Sequence, residues 1–113
     1  MMDLNEYQNL ALRTASNSTQ ENLILNGVMG ICGEGGECID LVKKSMFQGH
    51  ELNKDKLKDE LGDVMWYLAV AAKGIGVDLA EVAEFNINKL KTRFPNKFTA
   101  EDSIARVDYN KKN

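Results

Sequence analysis

Two pairs of acids, Glu34 with Glu37 and Glu60 with Asp63, share one spacing of three residues. On a helix, side chains three apart are neighbours, so each pair sets two carboxylates side by side where they repel. Carboxylate oxygens are the ligands that hard divalent cations prefer, and Mg²⁺ takes one or two of them while keeping several waters. One such pair is ordinary on an exposed helix face. Two pairs at matching places are a candidate metal site.

The elements that must position these acids are helices. The chain has 113 residues and a single proline, Pro95, with helical rather than alternating apolar periodicity. Four helices are expected, near residues 3–14, 19–47, 53–73 and 78–94. Asp3 with Glu6 reads as a capping box, Asn53 as an N-cap, and Asp78 with Glu81 as a second box. Asn17-Ser18-Thr19, Gln48-Gly49-His50 and the Gly74/Gly76 pair separate the helices, and Pro95 ends the last. The fold class is all-α, a four-helix bundle within a single domain of residues 1–113. Its core is expected at about 3–95. The tail, 96–113, is polar with scattered Phe98, Ile104, Val107 and Tyr109, and its last residues, 110–113, should be loose.

On the second helix, Ile24, Ile31, Cys38 and Val42 form an apolar stripe. At about 100° per residue, Glu34 and Glu37 lie roughly 80° and 140° to one side of it. On the third helix, Leu57, Leu61, Val64 and Leu68 form the stripe, and Glu60 and Asp63 fall at nearly the same offsets. An antiparallel hairpin of the two would bring all four acids to the edge of the buried seam. Behind them, Val64 to Ala72 is apolar on every side, and a helix apolar all round is buried all round. A chain this short cannot cover it alone, and Trp66 points away from the stripe. A homo-oligomer, dimer or tetramer, is the expectation. Gly30, Gly33, Gly35 and Gly36 crowd the same helix, each costing about 0.5–1 kcal/mol against alanine, which suggests close approach of a helix or a ligand.

The fourth helix carries Asn86, Lys89 and Arg93, spaced by three and four. Asn86 and Arg93 fall in or beside its apolar stripe, where polar groups need partners: acids of neighbouring helices, or the phosphates of a substrate. Lys44 shares the face of Glu37 and is a further phosphate candidate. The single histidine, His50, sits in a loop and leaves no triad chemistry.

The net charge of −3 excludes a basic footprint for nucleic acid or an anionic membrane. No stretch is long enough to span a bilayer, and the start has no signal-peptide pattern. Cys32 and Cys38, six apart, match no redox or zinc spacing and read as reduced core cysteines of a cytoplasmic protein.

Three segments together, G-E-G-G-E (Gly33 to Glu37), E-L-G-D-V-M-W-Y-L (Glu60 to Leu68) and N-I-N-K-L-K-T-R-F-P (Asn86 to Pro95), resemble the MazG-like nucleotide pyrophosphohydrolases of the all-α NTP pyrophosphatase superfamily. The superfamily pattern is E-x-x-E, a gap, then E-x-x-D; here the gap holds 22 residues. The resemblance runs from about Leu25 to Arg106. It implies a dimer or tetramer that splits a nucleoside triphosphate into monophosphate and pyrophosphate with Mg²⁺, for which Mn²⁺ substitutes. It implies Glu34, Glu37, Glu60 and Asp63 as metal ligands, with Asn86, Lys89 and Arg93 near the phosphates. Within such a mechanism Glu37 is the favoured carboxylate for orienting the attacking water, though nothing in the sequence separates it from Glu34. A di-iron bundle would need E-x-x-H motifs, and none is present. A non-catalytic interaction module keeping the same fold is the alternative, but it has no use for four converging acids.

Overall fold

The computed structural model describes residues 1–16 and 19–110. The turn expected at Asn17-Ser18 and the loose end at 111–113 lie outside them. Six helical segments follow one another: α1 (Leu4–Leu12), α2 (Gln20–Phe47), α3 (Lys54–Gly74), α4 (Leu79–Arg93), α5 (Ala100–Ala105) and α6 (Val107–Asn110). The four expected helices are all present, and the described residues form no strand. The tail adds two short helices.

Local chemistry accounts for the starts. Asp3 Oδ1 accepts the Glu6 amide at 2.7 Å, Thr19 Oγ1 the Asn22 amide at 3.2 Å, and Asn53 Oδ1 the Lys56 amide at 3.0 Å. Each bond satisfies an amide that the first helical turn leaves without an intrahelical partner. α3 stops where Gly76 takes a φ of +77° and the Val77 amide donates back to Ala72 O at 3.0 Å. Glycine is the residue that enters this left-handed region without a side-chain clash.

The chain divides into two compact units, residues 1–79 and 80–113. In the first, α3 packs along α2, and α1 packs on α3. The α2–α3 pairing is close because glycines line it. A Cβ on Gly27 would sit 2.7 Å from Ala71 N, and one on Gly74 would sit 2.8 Å from Ile24 N. A Cβ on Gly30 would overlap the Tyr67 ring. α2 runs unbroken through its glycines. Gly33, Gly35 and Gly36, by contrast, have nothing within 4 Å of where a Cβ would stand. The close approach expected of the cluster occurs at Gly30 and not at the other three.

On α1, the buried Gln8 joins three segments. Its amide nitrogen donates to Ala69 O (3.2 Å) and Val77 O (3.3 Å), and its carbonyl accepts the Leu79 amide (3.0 Å). Ala11, Ala69, Ala72 and Leu79 make the small core, with Tyr7, Trp66 and Val77 packed against it.

Three expectations need correction. Leu61 and Leu68, assigned to the buried stripe of α3, are exposed, because α3 turns other sides to α1 and α2. Trp66 does not wait for a partner chain: its indole N–H donates to Ala11 O (3.1 Å) and Thr14 Oγ1 (2.9 Å) on the side of α1. Cys32 is likewise exposed rather than in the core, and neither it nor Cys38 forms a disulfide.

In the second unit, the Phe94 and Phe98 rings meet at a tilt of 44°, with centroids 5.2 Å apart. Thr99 Oγ1 accepts the Asp102 amide and caps α5. The tail then closes on the end of α4 through a two-bond ion pair. Arg93 Nε donates to Asp108 Oδ1 at 2.7 Å and Nη2 to Oδ2 at 2.8 Å.

Gly27→Ala should cost about 1–3 kcal/mol, because the added methyl meets the backbone of Ala71, which has no rotamer to yield. Urea unfolding monitored by circular dichroism measures this. A variant as stable as the parent would mean that the helices do not meet there.

Candidate metal centre

The α2–α3 register decides which acids meet. The two helices run antiparallel, with Gly27 against Ala71 and Gly30 against Tyr67. With equal rise per residue in both helices, the same register carries Glu34 to the level of Asp63 and Glu37 to the level of Glu60. Carboxylate oxygens of Glu34, Glu60 and Asp63 lie within 4.8 Å of one another. Glu34 and Glu60 are half-buried and Asp63 is exposed. Glu37 stands exposed one turn beyond Glu34, outside that group.

The cluster carries its own electrostatic signature. A hydrogen bond shared with the Glu34 carboxyl raises Glu60 above the ordinary glutamate value, helped by partial desolvation and by the Glu34 charge. Like charges this close cannot both ionise freely. Among the described residues no lysine or arginine forms an ion pair with any of the three. Oxygen donors in a group, held on rigid helices and without an ion pair to a protein cation among the described residues, fit a hard divalent ion such as Mg²⁺ or Mn²⁺. Glu34, Glu60 and Asp63 would hold it.

Tyr7 belongs to this neighbourhood and was not singled out from sequence. Burial raises its phenol, and the charge of Asp63 raises it further. Its place on the apolar face of α1 concealed it, since a tyrosine there reads as core. Lys44, the expected phosphate ligand of α2, is bound to Asp40 at 2.9 Å, with Lys43 at 3.8 Å from the same carboxylate. Asp40 is accordingly held below the usual carboxylate range, chiefly by the Lys44 hydrogen bond.

The remaining candidates lie on α4. Asn86 is exposed, Lys89 is half-buried, and Arg93 is engaged by Asp108. The partner that Arg93 needed at its near-core position is thus an acid of the tail. Asp108 is held below its usual range, first by the Arg93 hydrogen bond. No spacing rule links residues 93 and 108, so this pairing was invisible before the fold.

The raised Glu60 value has a definite consequence for metal-free protein. The folded chain binds that proton more tightly than the unfolded one. Its contribution to stability is present below the ordinary glutamate value and is lost as pH rises through the raised one. In EDTA at pH 7, Glu60→Gln should therefore raise Tm above that of the parent, and added Mg²⁺ should raise the parent's Tm more than the variant's. Thermal melts by circular dichroism test both. A lower Tm for the variant in EDTA would show that the acids do not repel.

Comparison with known proteins agrees with this geometry. A 69-residue stretch is 44% identical to the Gene 37 protein of Mycobacterium phage L5, covering 58% of this chain and 60% of that protein. The match therefore spans less than two thirds of the relative's length. No solved structure matches. The model of the MazG nucleotide pyrophosphohydrolase domain matches residues 24–98, which takes in both acid pairs and all of Asn86, Lys89 and Arg93. The chain belongs to the MazG nucleotide pyrophosphohydrolase domain family.

Proposed function

We propose that the protein hydrolyses nucleoside or deoxynucleoside triphosphates to monophosphate and pyrophosphate, with Mg²⁺ as cofactor and Mn²⁺ as substitute, in cleaning the cytoplasmic nucleotide pool. The observation that carries this reading is the group of Glu34, Glu60 and Asp63 inside a nucleotide pyrophosphohydrolase domain. A bound divalent ion supplies Lewis-acid polarisation of the phosphate chain and eases ionisation of water. The chain's own residues supply the rest. The three acids would hold that ion, whose positive charge would offset the repulsion between an acidic protein and a polyanionic substrate. Glu37, free of the cluster and exposed beside it, is the carboxylate available to orient water and accept its proton. Lys89 and Arg93 offset charge on the phosphoryl oxygens and the leaving pyrophosphate, and Asn86 donates a neutral hydrogen bond. Lys44 joins them by exchanging Asp40 for phosphate.

The protein works as a homo-oligomer, a dimer or tetramer, in this reading. The face of α2 turned away from α3 carries Leu25, Val28, Met29, Ile39 and Met46, all exposed. Gly35 and Gly36 lie on the same face with open space before them, as close helix approach requires. On α3, Leu61, Met65 and Leu68 add a second exposed apolar face. Patches of this extent mark association surfaces. A second copy is the occupant, because the apolar face extends along the metal-binding helix itself.

Three outcomes are expected. Incubation with each common NTP and dNTP and Mg²⁺ should release monophosphate and pyrophosphate from at least one; release of inorganic phosphate instead would sink the assigned reaction. Glu37→Gln should abolish turnover while leaving Tm unchanged, and an active variant would remove Glu37 from the mechanism. Met29→Lys should shift the sedimentation-equilibrium mass toward that of one chain. An unchanged oligomer would show that α2 is not the interface.

A further inference from the structure

We propose that a second copy of the chain lays its own α2 antiparallel along the free face of this α2, about a two-fold axis near Gly35 and Gly36. The inference rests on the reading that the protein is a homo-oligomer, and it specifies the interface. Its supporting geometry lies wholly within α2 and the face that α2 turns to α3.

The free face is a seam with the period of a coiled coil. Leu25, Cys32, Ile39 and Met46 follow one another at intervals of seven. Val28, Gly35 and Val42 fall between them at alternating steps of three and four. No charged or amide side chain interrupts these seven positions. Leu25, Ile39 and Met46 are 59%, 62% and 69% exposed. At about 100° per residue, Cys32 in the middle of the seam lies nearly opposite Gly27 and Gly30, the residues that meet α3. A helix at the surface of a single chain needs one apolar stripe, and α2 carries two.

The two halves of the seam differ in form, and the difference selects both occupant and direction. The N-terminal half projects Leu25, Val28 and Met29, each at least 50% exposed. The C-terminal half carries a shallow hollow of about 350 Å³ whose lining includes Gly36, Ile39, Val42, Met46 and Phe47. An antiparallel copy sets the projecting half of each helix on the hollow half of the other, twice over by the symmetry. A parallel copy would set projection on projection and hollow on hollow. Charge agrees. Lys43 stands at the edge of the seam, and a parallel copy would bring it level with the partner's Lys43. The antiparallel copy brings it level with the partner's Val28, where its stem covers apolar surface while its amine stays 3.8 Å from Asp40. The seam's midpoint falls between residues 35 and 36. A Cβ at either glycine would meet nothing within 4 Å in one chain, which leaves room for a second helix at an axial distance of about 8 Å. Glu34 lies about 160° round the helix from Cys32, so each acid group stays within its own chain and faces away from the seam.

Distances between nitroxide labels read the direction of the pair. In a Cys32→Ser/Cys38→Ser background of the full chain, Asn22→Cys, Gly33→Cys and Phe47→Cys each place one label on the rim of α2, outside the seam. With 1.5 Å of rise per residue, double electron–electron resonance should give a shortest separation of about 20 Å from residue 33 and about 40 Å from residues 22 and 47. Nearly equal short separations at all three would mean a parallel pair and overturn the proposal. Separations beyond about 40 Å at all three, in a protein that sedimentation equilibrium shows to be oligomeric, would also overturn it while the homo-oligomer reading stands. A single-chain mass for the unlabelled parent would overturn both. Should Gly33→Cys lose helix by circular dichroism, Asp40→Cys replaces it on the same rim, with about 25 Å expected; a value equal to those at residues 22 and 47 overturns the proposal. No readout depends on nucleotide hydrolysis, so failure of the assigned reaction is seen separately.

Discussion

The first unit depends on how closely α2 and α3 approach. Gly27, Gly30 and Gly74 remove the side chains that would keep the two helix axes apart. Ala71, Tyr67 and Ile24 occupy the freed space. Glycine inside a helix costs about 0.5–1 kcal/mol through backbone entropy, so each is a local loss repaid only by contact. The contact also sets the register. A shift of one residue along α3 would turn its side chains by about 100° and carry Glu60 and Asp63 away from Glu34. One constraint therefore fixes both the packing and the charge cluster.

The glycines are of two kinds, and sequence did not distinguish them. Gly27 and Gly30 are needed where they are. Gly33, Gly35 and Gly36 face open space within one chain, and there alanine would favour the helix. Leu25, Val28 and Met29 of the same helix are exposed as well.

Much of the fold was legible because its signals are local. Asp3 and Asn53 cap their helices through bonds three residues ahead, a distance that sequence displays directly. The acid pairs were legible for the same reason; the expected convergence of all four holds for Glu34, Glu60 and Asp63, while Glu37 stands outside that group. What stayed hidden was the choice among equivalent apolar faces. The Val64–Ala72 stretch of α3 is apolar all round, so periodicity could not tell that Leu68 would be exposed while Trp66 turned to α1. Gln8 was hidden too, because its partners Ala69, Val77 and Leu79 are brought to it only by tertiary packing. Asp108 belongs to the same class.

Buried or crowded charge is handled in two opposite ways along this chain. Asp108 is matched by Arg93 within the protein, and its carboxyl is stabilised in the charged form. Glu60 is set against another carboxyl, and its charged form is penalised. Both arrangements order side chains, but they differ in what they leave undone. A matched pair asks for nothing further from its surroundings. The acid group keeps a repulsion that Lys56 offsets only in part, so an ion that enters would gain the remaining relief in addition to its own coordination. That difference explains why helices held at this closeness, with glycine at their contacts, suit a metal-dependent site better than a purely structural one. The most constrained part of the fold is the part left electrostatically unfinished.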